Sequence, residues 1–289
     1  MNIVEAPLVL ACAGEQLLGI VARAEAEASD DTGVVIVVGG PQYRAGSHRQ
    51  FVLLARALAD AGLPTLRFDV RGMGDGGGGQ RAFTELDEDV GVAVDGLLRS
   101  VPSLRRVVLC GLCDGASAAL LYLQRTHDPR VAGLVLLNPW VRSGETLSRT
   151  IVKHYYLQRL TDRGFWAKLL RGQVALKALR ELGSHLGAMW RGRSAGSGAA
   201  AGPTSYQERM LAGLDRHPGP VLLALCGDDY TAKEFLEHAQ ASPAWSAALG
   251  RPGLRRLDIA GADHTLSSTE HRRHFEAATI AWLVQEGFR

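Results

Sequence analysis

With 289 residues, 46% of them hydrophobic and 21% charged, the chain is long enough for one large α/β domain with an insertion, or for two small domains. Its 32 basic and 30 acidic residues leave a formal charge of +2 at pH 7, so nothing electrostatic points to nucleic acid or an anionic membrane as the main partner. No run of about 18 apolar residues predicts a membrane-spanning helix, and Met1 to Cys12 lacks the pattern of a secretory signal, so a cytoplasmic address is expected.

The 34 glycines imply many tight loops. Cys12, Cys110, Cys113 and Cys226 lie inside or at the ends of apolar runs, which predicts reduced thiols and not a disulfide framework. In chain order, two short apolar runs between Leu8 and Val21 flank Ala13, Gly14 and Glu15 and read as an opening hairpin. The β-branched run from Gly33 to Gly39 reads as a central strand covered on both faces. Ser47, with Gln50 three residues on, predicts a capping box for a helix that stops at Gly62.

A strand from Pro64, a helix near Leu86 to Ser100, the strand from Arg106, a helix from Asp114 to Thr126 and the strand from Val131 continue the alternation. Such alternation predicts parallel strands joined by right-handed crossovers. From Trp140 to Arg193 the pattern is mostly helical, which predicts an inserted cap, and 194–205 is a small-residue linker. The expected core is therefore 1–139 with 206–289, and the cap insertion 140–205. After a short helix come a strand from Pro220, one helix over Thr231 to Leu249, a strand from Leu254 and a closing helix over Ser267 to Glu286.

The chemistry-bearing element is Gly111-Leu112-Cys113-Asp114-Gly115, which ends a strand and opens a helix, as a nucleophile elbow does with cysteine in the serine place. An imidazole and a helix N-terminus both favour a thiolate there. A buried structural cysteine is the bland alternative, and a redox pair of Cys110 with Cys113 is another. Ser117, one turn farther along, is no rival nucleophile. His264 follows the last strand, whereas His271 and His274 fall on the closing helix and His48 sits near the first one. Asp229 follows the strand ending at Cys226 and completes the order nucleophile, acid, histidine, with Asp228 as the alternative acid.

An oxyanion hole needs the N–H of Asp114 and one from the Gly39-Gly40-Pro41-Gln42 loop. Pro41 has no N–H, which points to Gln42 or a neighbour. Tyr43 and Arg44, and also Arg81, are candidates to face the substrate, while Arg71 reads as structural. Gly72 to Gly77 matches a dinucleotide fingerprint loosely, continuing as a loop where a helix should open. The expected fold is that of the α/β hydrolases, with a mostly parallel central sheet, flanking helices and a helical cap. No cofactor and no metal ion is expected.

The segments GGPQYRAGSHRQF at 39–51, RFDVRGMGD at 67–75, GLCDGASAAL at 111–120 and GDDYTAKEF from Gly227 also resemble the exosortase A system-associated hydrolases, type 1, over most of the chain. The resemblance implies a bacterial α/β hydrolase encoded beside exosortase and exopolysaccharide machinery, with an undefined substrate. The elbow cysteine is similar to that of dienelactone hydrolases and polyhydroxyalkanoate synthases, which share only the G-x-C-x-G element. The expected reaction is attack by Cys113 on an ester, thioester or lactone of a small-molecule or carrier-bound acyl substrate. Acyl transfer, ring closure, a non-catalytic binding role and thiol redox work are the alternatives. The oligomeric state stays open.

Overall fold

The computed structural model describes residues 2–25, 31–142 and 204–289, so nearly all of the expected cap at 140–205 lies outside the described residues. Strands β1 (Ile3–Cys12) and β2 (Glu15–Ala24) form the opening hairpin, longer at both ends than its apolar pattern suggests. Ala13 and Gly14 both have positive φ, 50° and 85°. A two-residue turn of that hand matches the twist of the flanking strands.

The sheet then adds β3 (Thr32–Val37), β4 (Thr65–Phe68), β5 (Arg106–Leu112), β6 (Val131–Leu137), β7 (Val221–Cys226) and β8 (Leu254–Ile259). Spatial order is β1-β2-β4-β3-β5-β6-β7-β8, with β2 antiparallel to its neighbours β1 and β4 and every pairing from β4 onward parallel. All six residues of β3 are buried. Their side chains alternate between two apolar layers: Val35 and Val37 pack with Leu66 and Leu109 on one face, Val34 and Ile36 with Val108 and Cys110 on the other. Burial on both faces is why the parallel strands read as continuous hydrophobic runs.

Helices α1 (Gln50–Asp60), α2 (Asp87–Ser100), α3 (Asp114–Thr126), α4 (Tyr206–Arg216), α5 (Tyr230–Ala241), α6 (Pro243–Leu249) and α7 (Thr269–Gln285) flank the sheet. Two helix boundaries differ from the sequence reading. Ser47 does not cap α1: Ser47–Arg49 form a 3₁₀ turn, and the Ser47 N–H and hydroxyl go to Gln42 Oε1 at 3.2 and 3.4 Å. The single helix expected over Thr231 to Leu249 is split, because Pro243 supplies no N–H and biases Ser242 away from helical geometry. The Ser242 hydroxyl instead caps α6 through the Trp245 N–H. A complete capping box does occur at Ser205 and Glu208, which start α4.

The two ends of the 140–205 stretch are described and meet each other. Tyr206 donates its hydroxyl proton to the Arg142 carbonyl at 2.7 Å, and Gln207 donates to that of Val141 at 3.1 Å. The described ends of that stretch therefore sit together beside the elbow, where the Trp140 N–H meets the Cys113 carbonyl at 3.2 Å. Among the described residues no helix is long and apolar enough to cross a membrane.

Candidate active site

Cys113 stands between β5 and α3 with φ 59° and ψ −125°. That conformation costs a non-glycine residue on the order of 1–3 kcal/mol and persists only where surroundings enforce it. Here the Cys113 N–H donates to Leu137 at the end of β6 at 2.9 Å, while its carbonyl accepts from Ala116, Ser117 and Trp140. The loop after β3 presses against the turn. A Cβ at Gly39 would lie 2.0 Å from the Leu112 carbonyl oxygen, and one at Gly115 would lie 2.3 Å from that of Val37. Only glycine fits at either position. Ser117 is fully buried, donates to the Trp140 carbonyl at 2.7 Å and accepts the Trp140 N–H at 2.9 Å, so its hydroxyl braces the elbow.

His264 lies in the turn after β8, which Asp263 organises by accepting the N–H groups of Thr265 (3.2 Å) and Ser267 (2.9 Å). Its Nδ1 is 2.8 Å from Asp229 Oδ2, and Cys113 is the second group that acts on the ring. Burial lowers the imidazole pKa, but the bonds to Asp229 and Cys113 and the charges of those two residues outweigh it and raise the value to about 10. Asp229 is buried at the start of α5, where it also caps the helix through the N–H groups of Thr231 (3.0 Å) and Ala232 (3.3 Å). Asp228, the alternative acid, is exposed and takes part through its backbone N–H to Ala262. The structure thus brings Cys113, His264 and Asp229 together from the ends of β5, β8 and β7.

Asn138 is a residue that sequence reasoning did not single out. Fully buried at the end of β6 with φ 47°, it donates from Nδ2 to the His264 carbonyl at 3.4 Å and accepts the Cys226 N–H on Oδ1 at 2.8 Å. One side chain so ties three strand ends. The available signal was an asparagine closing an otherwise apolar strand, a position where its tolerance of positive φ is useful.

Gln42, the expected oxyanion donor, is otherwise engaged. Its N–H donates to the Gly40 carbonyl at 2.7 Å, closing a tight turn around Pro41, and its amide holds the Gly39 carbonyl (2.8 Å) and Ser47. The N–H that faces the elbow from this loop belongs to Gly40, which donates to the Asp114 carboxylate. Burial pushes the Asp114 pKa up, opposed by the N–H groups of Gly40, Gly115 and Asp114 and by His264.

Arg44, a candidate substrate contact, is buried and committed elsewhere. Its guanidinium binds Asp69 and, at 2.7 Å, Asp75, while its backbone N–H meets Asp69 Oδ1 at 2.6 Å. Tyr43 is 45% exposed, with the Arg44 guanidinium 4.2 Å from its ring centre. Arg71 forks onto Asp89, joining the end of β4 to α2 as a structural brace. The glycine loop folds back on itself and onto β2, Gly72 N–H to Gly77 and Gly77 N–H to Gln16, and the next α-helix starts only at Asp87. No helix N-terminus is therefore offered to a pyrophosphate by that loop.

Cys110 and Cys226 are buried in the apolar layers, and burial pushes both thiols up to about 12. Among the described residues no group of three or more His, Cys, Asp or Glu side chains is placed to hold a metal ion. A cavity of about 190 Å³ opens beside the elbow, lined by Val38, Met73, Phe83 and Leu86 among apolar groups and by Arg81 and Asp114 among charged ones.

Residues 34–278 match the model of the alpha/beta hydrolase family. None of the curated proteins matches. Among solved structures, the esterase Pf2001 of Pyrococcus furiosus is similar at 14% identity and a TM-score of 0.64, over 98% of this chain and 93% of that one. Est1E of Butyrivibrio proteoclasticus, solved with ferulic acid bound, is similar at 15% identity and a TM-score of 0.60, over 96% and 98%. DcsB, solved with a substrate analogue, is similar at 14% identity and a TM-score of 0.63, over 99% of each. At such identities these likenesses speak for the fold, as do the strand order, the elbow and the loops gathered at the strand ends. With its sheet topology and 245 contiguous residues matched, the chain belongs to the alpha/beta hydrolase family.

Proposed function

We propose that the protein is an acyl hydrolase that works through a cysteine, with Cys113 as nucleophile, His264 as proton carrier and Asp229 as the group that orients and charges the imidazole. The observation that carries this reading is the line from Asp229 through His264 to a strained Cys113. With its pKa at about 10, His264 holds a proton at neutral pH. An imidazolium in hydrogen-bonding reach of a thiol favours the thiolate, the attacking species.

In the proposed sequence, the sulfur of Cys113 adds to the carbonyl carbon of an ester, thioester or lactone, and the C=O π pair moves onto oxygen. The N–H groups of Asp114 and Gly40 receive that oxyanion. When the carbonyl reforms, the leaving alkoxide or thiolate takes the proton from His264. Water, deprotonated by the then neutral imidazole, adds to the thioester and releases the acid and the thiol. The substrate is a small-molecule or carrier-bound acyl group, and the setting we propose, from the sequence resemblance, is the bacterial exosortase/exopolysaccharide system. The ester chemistry named for the structural neighbours is in keeping with this.

The test is turnover of a panel of aryl esters, acyl-CoA thioesters and lactones by wild type, Cys113→Ala and Cys110→Ser, with intact mass spectrometry to trap the acyl adduct. An adduct on wild type, absent in Cys113→Ala and kept in Cys110→Ser, supports the reading. Turnover that survives Cys113→Ala, or no labelling by any donor, overturns it.

A further inference from the structure

Stabilising an oxyanion at Cys113 takes two N–H groups, and in this structure one of them already serves a carboxylate of the protein itself. The Gly40 N–H donates to Asp114 Oδ1, and that carboxylate belongs to the residue whose own N–H is the second donor. A negatively charged oxygen held by these donors is what the tetrahedral intermediate would present. We infer that the Asp114 side chain is an internal occupant of the oxyanion hole, which a substrate carbonyl must displace before Cys113 is acylated. This inference rests on the acyl reading of the site given above.

Three features fit such an occupant. A Cβ at Gly39 would come within 2.6 Å of Asp114 Oδ1, so glycine there is what admits the carboxylate. Asp114 also lines the cavity of about 190 Å³, which offers the displaced side chain room to turn. On the wall of that cavity stands Arg81, exposed and without an ion pair among the described residues, which supplies a counter-charge for the carboxylate once it has left the donors. The residue then acts on specificity: a short acyl group gains little from the cavity and competes poorly for the donors. An acyl group long enough to fill the space beside Val38, Met73 and Phe83 holds the side chain out.

The experiment compares wild type, Asp114→Ala and Asp114→Asn in two reactions at Cys113. Acylation by p-nitrophenyl acetate passes through an oxyanion; alkylation by iodoacetamide, in which the sulfur displaces iodide, does not. Removing the occupant should raise the acylation rate about tenfold in Asp114→Ala, a fraction of the roughly 10²–10³-fold that one oxyanion donor is worth, and leave alkylation unchanged. Asp114→Asn, which keeps the shape with a weaker acceptor, should fall between and serves if the alanine variant is poorly folded. Acylation at or below the wild-type rate in both variants, with alkylation intact, overturns the inference. Hydrogen exchange at the Gly40 amide reads the contact independently of turnover: protection should fall in both variants, and unchanged protection also overturns it. Ester turnover that persists in Cys113→Ala would instead sink the acyl reading.

Discussion

Asp229 meets His264 with the same carboxylate that starts helix α5: Oδ2 is 2.8 Å from the imidazole Nδ1 and 3.3 Å from the Ala232 N–H, while Oδ1 takes the Thr231 N–H. The ring is thereby oriented by an anion whose own position is set by a helix end. Asparagine caps helices about as well as aspartate, yet it offers no charge to an imidazolium. Asp229→Asn should therefore lower ester turnover by about 10²-fold or more, and reduce the melting temperature less than Asp229→Ala, where loss of the cap alone costs about 1 kcal/mol. Asp228→Asn should change neither, since its side chain points to solvent. Parallel kinetic and thermal measurements on the three variants decide it; a loss in Asp228→Asn equal to that in Asp229→Asn would contradict the assignment.

The raised pKa of His264 also bears on stability. The fold favours the protonated ring, whose value moves from an ordinary 6.5 or so to about 10. The associated stabilisation is fully present below pH 6.5 and is lost as pH rises through 10. Urea unfolding at pH 6, 8 and 10 should show a decline in wild type that is smaller in His264→Asn. Identical pH dependence in the two proteins would mean that the imidazole gains no protonation on folding.

Arg44 and Asp69 form a buried pair, 8% and 0% exposed in their side chains, with Asp75 closing the group. Arg44→Met strands the Asp69 carboxylate and should cost about 3–5 kcal/mol, measured as a shift in urea midpoint at unchanged slope. Adding Asp69→Asn should recover part of that loss, because neutralising both partners leaves no orphaned charge. An arginine that contacts substrate would behave differently, raising KM with stability intact.

Much of this was legible in the chain. Continuous β-branched runs between glycines announce buried parallel strands, and the G-x-C-x-G sequence between a strand and a helix announces the elbow at Cys113. Errors fell where local signals compete. Ser47 and Gln50 spell a capping box, but Gln42, five residues earlier, takes the serine's donors. Pro243 sits inside a helical pattern that it necessarily breaks. Arg44 reads as a candidate substrate contact because its partners, Asp69 and Asp75, belong to a different loop.

By itself the sequence determined the class of fold, the strand-to-helix elbow and the three residue types whose order along the chain suits acyl chemistry, because each depends on local periodicity or on short spacing. Tertiary structure alone decided that Asp229 and not Asp228 meets the imidazole, that Gly40 presents its N–H where Gln42 was expected, and that Asn138 joins three strand ends. It also placed the Asp114 carboxylate on the Gly40 N–H. These are contacts between residues as much as 126 positions apart, and such pairings arise only when parallel strands bring their ends to one edge of the sheet.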